Sequence, residues 1–209
     1  MSVFRGWPEE FQPFFIGLEL DNSKKYFEAN RRTYEEAVKG PMVALMGALE
    51  KEFGPGKVFR PNRDIRFSKD KSPYKTNIAA SVGMGHKGGY LSLDARGLMS
   101  AAGHYELSPA QVKKYRAKVA APKTGEALVS IVAKLEKAGY EIGGEDLKRV
   151  PPGWPRDHPR ARLLRHKRLY VWKNFGLQPW LGTAAARSKI VNVWTDVEPL
   201  NDWFKRNVG

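Results

Sequence analysis

Cysteine is absent from all 209 residues. That removes disulfides, thiol nucleophiles and every thiolate zinc site at once. It suits a reducing compartment, and a cytoplasmic location is the expectation. Long apolar runs are absent too. The longest nearly apolar stretch, "MVALMGAL" from Met42 to Leu49, is far too short to span a bilayer, so no membrane partner is expected. The N-terminal "MSVFRGWPEEFQPF" has no apolar segment followed by a cleavage site, so it does not read as a signal peptide. Histidine is scarce: His86, His104, His158 and His166. None sits in a metal-ligand spacing, and no His-Glu-x-x-His occurs. No serine lies in a Gly-x-Ser-x-Gly elbow, so a serine hydrolase has no support. The sequence names no cofactor.

Acid is in short supply as well. Against 36 Lys and Arg stand 22 Asp and Glu, a net charge of +14. The bias is uneven. Residues 1–59 hold 8 basic and 9 acidic side chains, residues 60–107 hold 8 and 4, and residues 108–209 hold 20 and 9. Lys148 to Lys173 alone carries 9 basic residues and one acid, Asp157. A field of this size attracts polyanions and raises their association rates, although it also serves plain solubility.

The remaining composition, 42% hydrophobic and 28% charged, is that of a globular chain long enough to bury a core. We read 1–209 as one compact domain: a helical part over 1–56, a strand-rich core over 57–107 and a mixed basic part over 108–209. "EEFQPFFIGLEL" predicts a short helix with Phe11, Phe14 and Phe15 on one side. Asp21 or Asn22 offers a cap for the next helix. Apolar positions then recur at steps of three and four from Tyr26 to Phe53, a long amphipathic helix that Pro41 must break or kink. "DIRF", "YKTNIAASVG", "GGYLSLDA" and "GLMSAAGHYE" change the period to two and predict an antiparallel meander. Ser108 and Pro109 open a helix, Gly139 ends the one after it, and "YEIGGEDLKRVP" predicts a strand or hairpin. "PRARLLRHK" predicts a short basic helix capped by Asp157 or His158, "RLYVWKNF" a strand, and two helices follow, the last restarting at Pro199. The fold class is α+β, with a central, mainly antiparallel sheet flanked by N-terminal and C-terminal helices.

The densest chemistry is "FRPNRDIRFSKDKSPYKTN", Phe59 to Asn77, with six basic residues and two aspartates. Read as strand, turn and strand, alternation puts Asn62, Asp64 and Arg66 on an open face and Ile65 and Phe67 toward the core. The returning strand would add Tyr74, Lys75, Thr76 and Asn77. Arg and Lys donors converging on one face bind phosphate or carboxylate well. An Asp between cations orients an Arg, and its pKa falls, which makes it a poor general acid. Asp70, in "SKDKSP", also suits an ordinary Asx-type turn. The plain alternative is a solvated, salt-bridged hairpin.

"RPNRDIRFSKDKSPYKTNIAA" resembles the signature of the family catalogued as domain of unknown function 2461. "LDNSKKYFEANRRTYEE", "GGYLSL", "LKRVPPGWPRDHPRARLLRHK" and "PLNDWF" are similar to the same family, so the resemblance covers almost the whole chain. It implies a compact α+β domain and carries no assigned activity. The family leads one to expect Trp where Tyr26 stands, and often Asn-Asn where Asp21-Asn22 stands. Its motif picks out Arg60, Asn62, Arg63, Asp64, Arg66, Lys69, Asp70, Lys71, Tyr74 and Lys75 as a group.

In the second basic stretch, Arg162 and Arg165/His166 could line one helix side, with Leu163, Leu164 and Leu169 filling the other. Basic residues interleaved with Trp154, Tyr170 and Trp172 suit single-stranded nucleic acid, where bases stack and phosphates pair with Arg. A surface helix with Trp154 packed under a proline loop is the plain alternative. His104 and His158 are acid–base candidates beside Asp64 and Tyr74. "GMGHKGG", Gly83 to Gly89, could cradle a phosphate but lacks the strand-to-helix context, and reads better as a hairpin turn.

Three functions remain open on this reading. The first is a binding module for nucleic acid or another phosphate-rich ligand, with Arg60, Asn62, Arg63, Arg66, Lys69, Asp70, Lys71, Lys75, Arg162 and Arg165 as binding residues. The second is an enzyme on a small phosphorylated or carboxylated substrate at the hairpin. A metal-dependent version would need Asp64 and Asp70 joined by Glu106 or Asp94, and ranks lower. The third is a scaffold whose charged hairpin is a salt-bridge lattice. The first is favoured.

Overall fold

The computed structural model describes residues 3–66, 69–83 and 89–209. It is α+β. The elements are helices α1 (Phe11–Leu20), α2 (Lys24–Ala29), α3 (Arg31–Thr33), a π-helical segment (Tyr34–Lys39) and α4 (Gly40–Phe53). Strands β1 (Gly56–Val58), β2 (Asn77–Val82), β3 (Gly89–Asp94) and β4 (Gly97–His104) follow. Then come α5 (Pro109–Ala120), α6 (Pro122–Lys137), β5 (Glu141–Glu145), α7 (Ala161–Leu164) and β6 (His166–Gly176). A 3-10 turn (Pro179–Gly182), α8 (Ala185–Asp196) and α9 (Glu198–Asn207) close the chain. The strands hydrogen-bond in the order β1-β2-β3-β4-β6-β5, and β1–β2, β2–β3 and β5–β6 pair antiparallel. Residues cluster into two compact units, one from 3–83, 89–100 and 174–192, the other from 101–173 and 193–209.

The first unit is built on aromatic packing. On α1, Phe11, Phe14, Phe15 and Leu18 are buried, one stripe at helical spacing. Phe14 meets Phe27 at 6.1 Å and Tyr34 at 5.6 Å between ring centroids. Met42, Leu45, Met46 and Leu49 continue the buried stripe on α4, and Leu91 and Leu93 alternate inward on β3. The smaller Gly17 leaves room for Tyr26, whose hydroxyl donates to the Phe14 carbonyl at 2.9 Å. A Cβ at Gly17 would lie 2.1 Å from that hydroxyl.

Two local expectations fail here for clear reasons. The helical run from Lys24 is interrupted at Asn30, between α2 and α3, and does not break at Pro41. The backbone widens into a π turn just before it, with the Gly40 N–H donating to the Glu35 carbonyl, and Pro41 begins α4 in its first turn. Proline lacks the N–H that an α-helical bond to residue 37 would need, and five-residue spacing upstream absorbs the misfit. The cap of α2 is neither Asp21 nor Asn22. Ser23 takes that role by accepting from the Tyr26 N–H at 3.1 Å.

In the second unit Ser108 and Gln111 form a capping box on α5, and Pro109 sits in its first turn. Tyr115, Val119, Leu128, Val132, Leu200, Trp203 and Phe204 are buried. The Phe204 ring stacks with Tyr115 at 5.6 Å and with His104 at 4.0 Å between centroids. Between β5 and β6 the register slips at Gly144, where φ is +99° and a Cβ would lie 2.0 Å from the Arg168 carbonyl oxygen.

Candidate functional site

The charged hairpin belongs to the first unit, and it is not a strand pair. "DIRF" forms no strand among its described residues. Asn62 and Tyr74 make one isolated antiparallel bridge, flanked by Arg63 N–H to the Pro73 carbonyl at 2.9 Å and Lys75 N–H to the Pro61 carbonyl at 2.8 Å. Pro61 and Pro73 have no N–H of their own, so the ladder stops after one bridge. Ile65 is 38% exposed and does not enter the core, and Phe67 lies outside the described residues. The segment is therefore a loop on a two-residue root.

Side chains shape that loop. Arg66 donates through Nε (3.0 Å) and Nη2 (2.7 Å) to the two oxygens of Asp64. Arg63 pairs with Asp70, whose other oxygen accepts the Ser72 N–H at 2.9 Å, an Asx turn. Lys71 Nζ donates to the Ile65 carbonyl at 2.9 Å, and Lys75 Nζ to the Arg60 carbonyl at 3.2 Å. The Arg66 hydrogen bonds hold the Asp64 carboxyl below the usual range, and those from Ser72, with Arg63 behind them, do the same for Asp70. Both stay ionised at neutral pH. That makes them charge partners rather than proton donors.

The root is held from outside the loop. The Tyr74 N–H donates to Asn22 Oδ1 at 3.0 Å, and Asn22 Nδ2 donates to the Tyr74 carbonyl at 3.1 Å. One amide thus pairs with both backbone groups of Tyr74, as a neighbouring strand would. The Tyr74 ring lies flat on Phe27, with centroids 4.1 Å apart and planes 7° from parallel.

Beside the root lies a cleft of about 610 Å³. One wall is a charged stripe on the helical run: Lys24, Glu28, Arg31, Glu35 and Lys39. Glu28 is bound by Arg31 through Nε (2.8 Å) and Nη2 (2.6 Å), and Lys39 Nζ reaches Glu35 at 2.9 Å. Tyr34 and Tyr74 line the cleft although they are only 4% and 6% exposed. Burial first, then the Glu35 charge, pushes the Tyr34 phenol up to about 12, so it remains a donor. The sequence did carry a signal for this wall. Positions 24, 28, 31, 35 and 39 step by three and four and alternate in sign. The role of Asn22 had no such signal, because it depends on the root coming to it.

The other candidates lie in the second unit. Arg162 pairs with Glu136 at 2.6 Å and Arg165 with Glu145 at 2.5 Å. The basic helix is only the four residues of α7, and its N-cap position is Arg160, not Asp157 or His158. His158 Nδ1 accepts the Arg160 N–H at 3.0 Å. Leu163, Leu164 and Leu169 are buried as expected. Trp154, Tyr170 and Trp172 are each half-buried. His166 is fully buried on β6. Among the described residues no three His, Asp or Glu side chains come together as a metal site. Most of "GMGHKGG", including His86, lies outside the described residues. No helix of the described chain is long and apolar enough to cross a membrane.

Fold and site together define an α+β protein that carries a cation-rich loop on an anchored root. The chain matches the family model described as Conserved hypothetical protein (DUF2461) over residues 10–203, and it belongs to that family. No curated protein and no solved structure matches it.

Proposed function

We propose that the loop 60–75 is an anion-binding element for nucleic acid or another phosphate-rich ligand. One observation supports this reading above the others. Both carboxylates of the loop are taken by Arg66 and Arg63, while six basic residues stand there, so a net charge of +4 remains on one exposed, anchored loop. Arg60 and Lys69 are exposed and form no ion pair among the described residues. Lys71 meets a backbone carbonyl, and Lys75 a backbone carbonyl and the Phe59 ring at 5.8 Å, so no acid compensates either charge. Fixing the loop beforehand lowers the ordering cost of binding. A cytoplasmic location belongs to the same proposal and is favoured by the lack of cysteine.

The test is fluorescence anisotropy with labelled single-stranded DNA, duplex DNA and RNA across a salt series. Neutralising four phosphates of a single strand gives a log–log salt slope of about −2.8. In Arg60→Ala/Lys69→Ala the slope should fall to about −1.4. Neither side chain supports the fold through an ion pair, so the variant should melt with the wild type. Equal affinity and slope in both proteins would return the loop to the salt-bridge-lattice reading.

A further inference from the structure

The cleft beside the hairpin root uses none of Arg60, Lys69, Lys71 or Lys75, and it poses its own chemical question. The Tyr34 and Tyr74 side chains are more than nine-tenths buried and line it, and neither hydroxyl donates to a protein acceptor among the described residues. Neither oxygen is itself cut off from solvent, so both are presented at the cleft surface by rings that packing holds in place. Two in one cleft make a pair of donors available to something that enters it.

The charges around them select the visitor. Glu28 and Glu35 are already occupied by Arg31 and Lys39, so the acidic lining is neutralised. Arg31 spends Nε and Nη2 on Glu28, which leaves Nη1 with its two donors, and its guanidinium lies 5.7 Å above the Phe27 ring. Lys24 has no acceptor within hydrogen-bond distance among the described residues. Donors therefore outnumber free acceptors, and the lining carries one surplus positive charge from three cations and two glutamates. A tetrahedral oxyanion, with three acceptor oxygens and up to two charges, answers that set better than a neutral polar molecule. The volume falls in the range that encloses small ligands, and Pro61 and Pro73 offer apolar contact for an organic group.

We propose that this cleft binds a small phosphate monoester, with the phosphate received by Arg31 and the Tyr34 and Tyr74 hydroxyls, Lys24 adding charge. The site shares the loop's root, Pro61, Asn62, Pro73 and Tyr74, but none of its cations, and does not need the nucleic-acid reading to hold.

The experiment is isothermal titration of the full chain with phenyl phosphate, ribose 5-phosphate, inorganic phosphate, sulfate and acetate, in wild type, Tyr34→Phe/Tyr74→Phe and Arg60→Ala/Lys69→Ala. Removing hydroxyls that have no protein partner leaves the melting temperature in place, so a loss of binding is not a loss of fold. At least one monoester should bind saturably below about 1 mM and weaken about tenfold per hydroxyl removed, the size of a hydrogen bond to a charged group. Arg60→Ala/Lys69→Ala should bind it like wild type. No monoester binding up to about 10 mM, or equal binding by the double phenylalanine variant, overturns the proposal. So does equal binding of inorganic phosphate, sulfate or acetate, because the organic group is then unread. Loss of binding in Arg60→Ala/Lys69→Ala places the anion on the outer loop and overturns it as well.

Discussion

Replacing Asn22 by Ala should destabilise the protein more than its position between two helices suggests. The side chain makes two hydrogen bonds, 3.0 and 3.1 Å, to the N–H and carbonyl of Tyr74, fifty-two residues away. Each is worth about 1 kcal/mol net, and partly buried backbone groups left unpaired add to that. The expected loss is about 2–3 kcal/mol, which for a chain of this size lowers Tm by about 4–12 °C. Urea unfolding and calorimetry read it directly. Asn22→Asp sharpens the test. If Asn22 served as a helix cap, Asp would replace it at little cost, since the two cap about equally well. As a clamp, Asp keeps the acceptor for the Tyr74 N–H but turns a carboxylate toward the Tyr74 carbonyl. Asn22→Asp should therefore lose at least as much as Asn22→Ala. A Tm within 2 °C of wild type for either variant would refute the clamp.

Gly40→Ala would bring a Cβ within 2.8 Å of the Glu35 carbonyl oxygen and should cost about 1–3 kcal/mol in urea unfolding by straining the π turn. Tyr140→Phe removes the 2.5 Å hydrogen bond from its hydroxyl to the Asp196 carboxylate, and about 1.5–3 kcal/mol is the expected loss in calorimetry. His166 supplies a pH dependence. Burial holds its pKa below the ordinary value, against the Arg168 and Gly143 carbonyls and the Glu145 charge, with Arg162 acting in the same sense as burial. The unfolded histidine then binds a proton first, so stability is full above about pH 6.5 and falls as pH drops toward the folded value. His166→Gln should flatten the difference in urea midpoint between pH 7.5 and 5.5, and an unchanged slope would count against the assignment.

The helices and most strands were legible because their signals are local. Ser108 with Pro109, Gly139, and the alternation of Leu91 and Leu93 each act within a few residues. The hairpin misled because alternating Asp64, Ile65 and Arg66 looks like a strand, while what decides is whether a ladder can continue past Pro61 and Pro73. β1, Gly56–Val58, was too short to show a period. Pro41 marks a local disturbance in the sequence, but a π turn instead of a break is a response that propensity does not encode. The site was half legible. The cations of the loop stand together in sequence, whereas the cleft joins the loop's root, Pro61, Asn62, Pro73 and Tyr74, to a helix face more than twenty residues upstream, and only folding makes that juxtaposition.

A loop without a ladder would ordinarily be a poor place to present charge, since its own cations would rather follow solvent. Here its ion pairs are exposed, and such pairs contribute little to stability and are screened by salt. The parts that hold the loop are of another kind: the Asn22 amide, the Phe27–Tyr74 stack and the two backbone bonds at the root. None of these depends on ionic strength. The two roles are thus separable by one variable. Salt should weaken anion binding while leaving melting almost unchanged, whereas a protein held together by its charged hairpin would lose both in step.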